Sequence, residues 1–183
     1  MLVLSADPAL GERGAGLSTV ETRARPRPGV ALSAMGEVGL WFGIIPDFRT
    51  PIVAVGLAID GGVVLSDRVM LLLRLEGSLV PGNLIEFLPG AYVCLGGGPA
   101  IDYFVSERFT VGAGVRLLTP SVNWGALSLS LPLRANFFPA PREATAGART
   151  GVILGFQLVP TYIFGSVLGS GLSATFTVGY GMW

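Results

Sequence analysis

The chain has no histidine, no lysine and a single cysteine, Cys94, and each absence removes a class of chemistry. A serine hydroxyl needs a neighbouring base to become a nucleophile, so without histidine a Ser-His-acid triad is excluded. A carboxylate pair such as Asp60 and Asp102 is left for acid–base work, but carboxylates that face arginine are more often structural. One cysteine makes no intrachain disulfide, and no Cys/His spacing suggests a metal site; Cys94 reads as a small buried filler. Gly96-Gly97-Gly98 lacks the Gly-Lys-Ser/Thr of a phosphate loop. The expectation is a chain with no enzyme activity, no cofactor and no metal. Its 12 basic residues, all arginine, balance 12 acidic ones, which leaves no electrostatic footprint for nucleic acid.

Charged residues are scarce, at 13% of the chain against about 25% in a typical soluble domain. Yet the chain also lacks the ~20-residue apolar block of a spanning helix. Residues 152–169 come nearest, and they are interrupted by Gln157, Pro160 and three glycines, which weakens a helical membrane reading. A secretory signal is not visible either. MLVLSADPALGERG has no basic n-region and too short an apolar run, so an exported protein would have lost its signal or would start upstream of Met1.

What the chain does hold is alternation. From Thr150 to Trp183 there is no charged side chain, and in the last segment Leu172, Ala174, Phe176, Val178, Tyr180 and Met182 share one parity. Ser173, Thr175, Thr177, Gly179 and Gly181 share the other, the period-two pattern of a strand with one apolar face. Residues 1–29 differ in character: GERGAGLSTVETRARPRPG reads as a polar, mobile tail. From Val30 onward, turn punctuation divides the sequence into about eight strands, at 30–42, 51–65, 68–79, 91–104, 108–118, 122–137, 149–164 and 171–183. Two turns share one plan, since LSDRV at 65–69 and VSERF at 105–109 each follow an Ala-Ile-Asp triplet.

Parity separates two faces in every strand. Leu71, Leu73 and Leu75 oppose Arg74 and Glu76; Phe109, Val111 and Val115 oppose Thr110, Gly112 and Arg116. The bulky apolar residues gather on one face, and nearly every charge falls on the other, among Gly, Ala, Ser and Thr. A soluble ligand-binding barrel needs charges outside. A membrane barrel needs bulky apolar residues outside and small or polar ones in its narrow interior, with every backbone group satisfied by closure. The fold expected is all-β, a closed antiparallel up-and-down transmembrane β-barrel over residues 30–183.

With that strand count, the alternation, the tight LSDR and VSER turns and the terminal aromatic Trp183, the chain resembles the small eight-stranded outer-membrane β-barrels of Gram-negative bacteria. The resemblance implies a bacterial outer-membrane location, a lipid bilayer as surroundings and the outer-membrane assembly machinery as a partner. In that class the last aromatic usually shares the parity of the preceding apolar residues, whereas Trp183 is out of phase with Val178, Tyr180 and Met182. Aromatics near strand ends, Trp41, Phe42, Tyr103, Phe104, Trp124, Phe137, Phe138, Tyr162 and Phe164, are expected to form interfacial girdles. The candidate site is the set of inward charges, Glu37, Asp60, Arg74, Glu76, Asp102, Arg116 and Arg134, read as a lumen network because Arg can bridge carboxylates bidentately. An anchoring, structural or interaction role follows. The alternatives are a narrow gated pore and a soluble barrel binding a small hydrophobic ligand, with a polytopic helical membrane protein as a further fold alternative.

Overall fold

The structure is a computed structural model that describes residues 29–44, 51–80, 92–120, 126–143, 148–165 and 169–183. The tail proposed for residues 1–29 lies outside them except for Gly29, which already opens the first strand. Eleven strands occur: β1 (Gly29–Ile44), β2 (Ile52–Ser66), β3 (Val69–Val80), β4 (Tyr92–Ser106), β5 (Phe109–Gly114), β6 (Arg116–Pro120), β7 (Ala126–Ser130), β8 (Leu133–Phe137), β9 (Arg142–Glu143), β10 (Arg149–Gly165) and β11 (Gly169–Met182). β5 and β6 together form one barrel stave and β7 and β8 another, so the ring has eight staves, each antiparallel to the next. β11 pairs with both β10 and β1, which closes the barrel. Among the described residues there is no helix, and the polytopic helical alternative falls with that.

The split staves have a chemical cause. Proline has no N–H to return to a partner, and a closed barrel offers no free edge on which to place one. Val115 N–H donates to the Pro99 carbonyl, Gly114 N–H to Pro132 and Leu131 N–H to Pro160, each at 3.0 Å, and in each case the proline can give nothing back. Pro99, Val115, Leu131 and Pro160 lie on one row across four neighbouring staves, with the Gly114–Pro132 bond one residue away from it, so the regular ladder lapses at Val115 and at Leu131–Pro132. Pro99, Pro132 and Pro160 mark these interruptions.

The same row fixes the stagger of the barrel. Leu32 pairs with Gly61, Gly61 with Leu73 and Leu73 with Pro99. The row continues through Val115 and Leu131 to Pro160, in the register of Ala113 with Leu133 and Arg116 with Ser130. Pro160 pairs with Leu172, and Leu172 pairs with Phe42 back on β1. One circuit therefore returns ten residues beyond its start, from position 32 to position 42. Such a shear requires strands inclined by about 35–45° to the barrel axis.

The faces divide by bulk. Leu57, Leu73, Leu75, Leu95, Leu133, Phe176 and Val178 stand on the outer wall, Leu57 at 71% exposure and Phe176 at 62%. A water-soluble barrel would bury these side chains, which overturns the soluble ligand-binding alternative. At the end of the barrel where β1 begins and β11 finishes, the interior is apolar. Ala31, Met70, Leu72 and Ala100 form one buried cluster and Met35, Phe138 and Ile153 another, and Phe104 and Trp183 pack against both. This is the terminal end; β1 finishes and β2 begins at the opposite one.

Candidate functional site

β1 to β4 each contribute an acid or an arginine to the middle of the lumen, because the inward positions of a strand recur every second residue. Asp60 and Arg74 stand directly opposite each other on β2 and β3, and Arg74 Nε donates to Asp60 Oδ1 at 2.9 Å. Arg74 Nη2 also reaches Glu37 on β1, at 3.3 Å. The second oxygen of Asp60 accepts from Arg134 Nη1 at 3.3 Å, and Arg134 Nε donates to Asp102 Oδ1 at 2.6 Å. Asp102 and Arg134 are not neighbours, since Gly112 of β5 lies between them, paired with each. A Cβ at Gly112 would sit 1.8 Å from Asp102 Oδ1, so this contact needs glycine there.

A second limb runs through residues that charge alone does not single out. Arg116 on β6 forms an ion pair with Glu76 on β3 and donates through Nη2 to Gln157 Oε1 at 2.8 Å. Gln157 Nε2 then donates to Glu37 Oε1 at 3.1 Å, which joins the two limbs. At the other end Asn136 Nδ2 donates to Asp102 Oδ2 at 3.4 Å and to Thr110 Oγ1 at 3.3 Å. The result is one continuous chain of polar contacts from Glu76 to Thr110, anchored on seven of the eight staves. All seven candidate charges belong to it. Gln157, Asn136 and Thr110 were missing from that set; each has inward parity, which was the only sign of them.

The network is buried. Arg74 is 2% exposed, Asp102 2% and Gln157 1%. Burial of this degree suits charges only when they are paired and hydrogen-bonded. Four carboxylates meet three guanidinium groups, and Arg74 Nη1, Arg116 Nε and Arg134 Nη2 make no hydrogen bond within the described residues. Between the network and the apolar terminal end lies a cavity of ≈ 30 Å³ bordered by Ser33, Met35, Asp60, Asp102, Phe138 and Trp183, room for about one or two water molecules. No group of three or more His, Cys, Asp and Glu suited to a metal ion occurs among the described residues.

The aromatics depart from the girdle expectation. Phe42, Tyr103, Phe137 and Tyr162 do face outward. Phe138, by contrast, is 2% exposed inside the barrel, with its ring centroid 6.3 Å from Phe104 and 4.3 Å from Trp183. Trp41 also shares the inward parity of Glu37, and its ring lies against Gly43 and Gly171. Trp124 lies outside the described residues. Strand ends thus carry aromatics on both faces, and parity distinguishes wall from plug. Trp183 keeps its inward phase for the same reason: its main chain exchanges hydrogen bonds with Arg149, at 2.6 and 2.8 Å, and its indole helps to seal the terminal end.

No protein-family description matches the chain, and no curated protein matches it by sequence. Solved structures do. A de novo designed transmembrane β-barrel covers 86% of this chain and 98% of its own, at 12% identity and a TM-score of 0.44. OprG, an outer membrane protein from Pseudomonas aeruginosa, covers 84% and 95%, at 11% identity and a TM-score of 0.39. Neisserial surface protein A covers 85% of this chain and 98% of its own, at 9% identity and a TM-score of 0.50. Identity this low speaks for fold alone. With the closed ring and its apolar outer wall, the likeness to the Neisserial barrel gives the chain the fold of a small eight-stranded antiparallel transmembrane β-barrel.

Proposed function

We propose that the protein is a non-enzymatic integral barrel of a bacterial outer membrane, whose lumen is closed by ionic contacts and whose role is anchoring or interaction. The observation that carries this reading is the continuous chain of buried contacts from Glu76 to Thr110, backed by the apolar plug of Phe104, Phe138 and Trp183. An eight-stranded barrel is just wide enough for side chains to fill, and this one is filled twice over. The even number of staves puts the start of β1 and the end of β11 on one side. In this reading that side is the periplasm, and the assembly machinery inserts the barrel from there. The catalytic alternative has no histidine to work with, and its two candidate carboxylates, Asp60 and Asp102, are both engaged by Arg134.

The rival reading, a narrow gated pore, draws on the three guanidinium N–H groups without an acceptor among the described residues, since water in the lumen would satisfy them. Planar-bilayer recording separates the two. The expected result is insertion without steady conductance; large, stable channels from the unmodified protein would favour the pore.

A further inference from the structure

The two turns with a shared sequence plan also share a structure, and it places an arginine at the foot of the outer wall each time. Ser66-Asp67-Arg68 joins β2 to β3, and Ser106-Glu107-Arg108 joins β4 to β5. In each turn the arginine main-chain N–H donates to the serine Oγ at 3.3 Å. In each, the arginine carbonyl accepts from a phenylalanine N–H on the following stave, Phe104 at 2.8 Å and Phe138 at 2.9 Å. The residue after each arginine is paired with an outward aromatic on that stave, Val69 with Tyr103 and Phe109 with Phe137. Arg68 and Arg108 thus stand one step beyond a ring that ends the apolar wall, where hydrocarbon gives way to headgroups.

Arg68 bends onto that wall: its Nη1 donates to the Tyr103 hydroxyl at 3.0 Å. Both arginines are exposed, and among the described residues neither forms a salt bridge; Glu107 turns to Arg149 instead, at 3.6 Å. A guanidinium has five N–H donors, and a tyrosine hydroxyl that accepts one hydrogen bond still has its own proton to give. Arg68 and Tyr103 therefore present a fork of N–H groups and an O–H side by side. Their natural complement is a phosphate diester, which takes a bidentate guanidinium and one further donor. A guanidinium stays charged at any physiological pH, and the hydroxyl contact raises the Arg68 pKa further.

We propose that Arg68 and Tyr103 bind the phosphate of an anionic glycerophospholipid headgroup in the leaflet at the terminal end of the barrel, with Arg108, in the matching turn, as a weaker copy of the site. The proposal rests on the membrane-barrel reading above. It carries an internal order: Arg68 has the Tyr103 hydroxyl to share the phosphate, whereas the outward ring paired with the residue after Arg108 is Phe137, which has no hydroxyl, so the first should hold lipid more strongly.

The test uses the full chain folded into phosphatidylcholine vesicles, with insertion checked independently by protease protection of the barrel. Spin-labelled phosphatidylglycerol and spin-labelled phosphatidylcholine are then compared by the fraction held motionally restricted at the protein surface. The expected result is a preference for phosphatidylglycerol at low salt that falls roughly fivefold in Arg68→Gln, in keeping with the attraction of one basic residue to an anionic headgroup. It should fall less in Arg108→Gln, and Tyr103→Phe should leave Arg68 no better than Arg108. Arg142→Gln, at the same end but on β9, should change nothing. Inserted wild-type protein without any preference, or a preference kept in full by the Arg68→Gln/Arg108→Gln double variant, would overturn the headgroup site alone. Wild-type protein that never inserts would overturn the membrane reading, and the site with it.

Discussion

Arg74 shows why a charge can sit at the centre of a membrane barrel. It touches Glu37 and Asp60 at once and even directs Nη2 at the Met35 sulfur, 3.7 Å away, so its removal leaves Asp60 with Arg134 alone and Glu37 with only the neutral Gln157. Arg74→Ala is therefore expected to lower stability by about 3–5 kcal/mol, the loss typical when one member of a buried pair is deleted. Urea unfolding from lipid vesicles measures it; a loss near zero would mean that the carboxylates are hydrated and the lumen open. At this scale the sequence is partly legible. Inward parity identifies each charge, since a strand has only two faces, but it says nothing about partners. Asp60 meets an arginine directly opposite, whereas Asp102 must pass over Gly112 to reach Arg134 two staves away. That longer reach depends on the barrel's closure and stagger, which no single strand encodes.

The strands themselves were the most legible feature, and for a physical reason. When one face meets lipid and the other a narrow lumen, bulk alternates along every stave, and a register slip by one residue would reverse all of it. Leu71, Leu129 and Phe176 all stand on the outer wall. Leu71→Arg should cost roughly 2–4 kcal/mol if its position lies near the bilayer midplane, and less toward either rim, as read by refolding titrations in vesicles; a neutral Leu71→Arg would mean that this face is hydrated. The aromatics were harder to assign, because a ring near a strand end serves equally as an interfacial anchor or as a plug. Phe137 and Phe138 are adjacent, yet one faces outward and the other is buried against Trp183. The proline breaks were visible in sequence as anomalies. That Pro99 and Pro160 share one row across four staves, with Pro132 one residue off it, follows only from the pairing.

For the molecule as a whole, one inversion accounts for the composition that first set this chain apart. Charge is low because the outer surface meets hydrocarbon, and seven charges from Glu37 to Arg134 are buried among the staves behind a wall of leucine, valine and isoleucine, while Arg142 and Arg149 stand at the terminal end. Histidine, lysine and a second cysteine are not needed for a structure of this kind. The most direct measurement of that inversion is a single-cysteine scan of residues 175–180 on β11, in a Cys94→Ser background, with a nitroxide attached at each position in turn. In vesicles, collision with lipid-soluble oxygen should rise at positions 176, 178 and 180 and fall at 175, 177 and 179, with a water-soluble nickel complex excluded from the first set. An oscillation of opposite phase, or nickel collisions at position 176 as frequent as in free solution, would contradict the account.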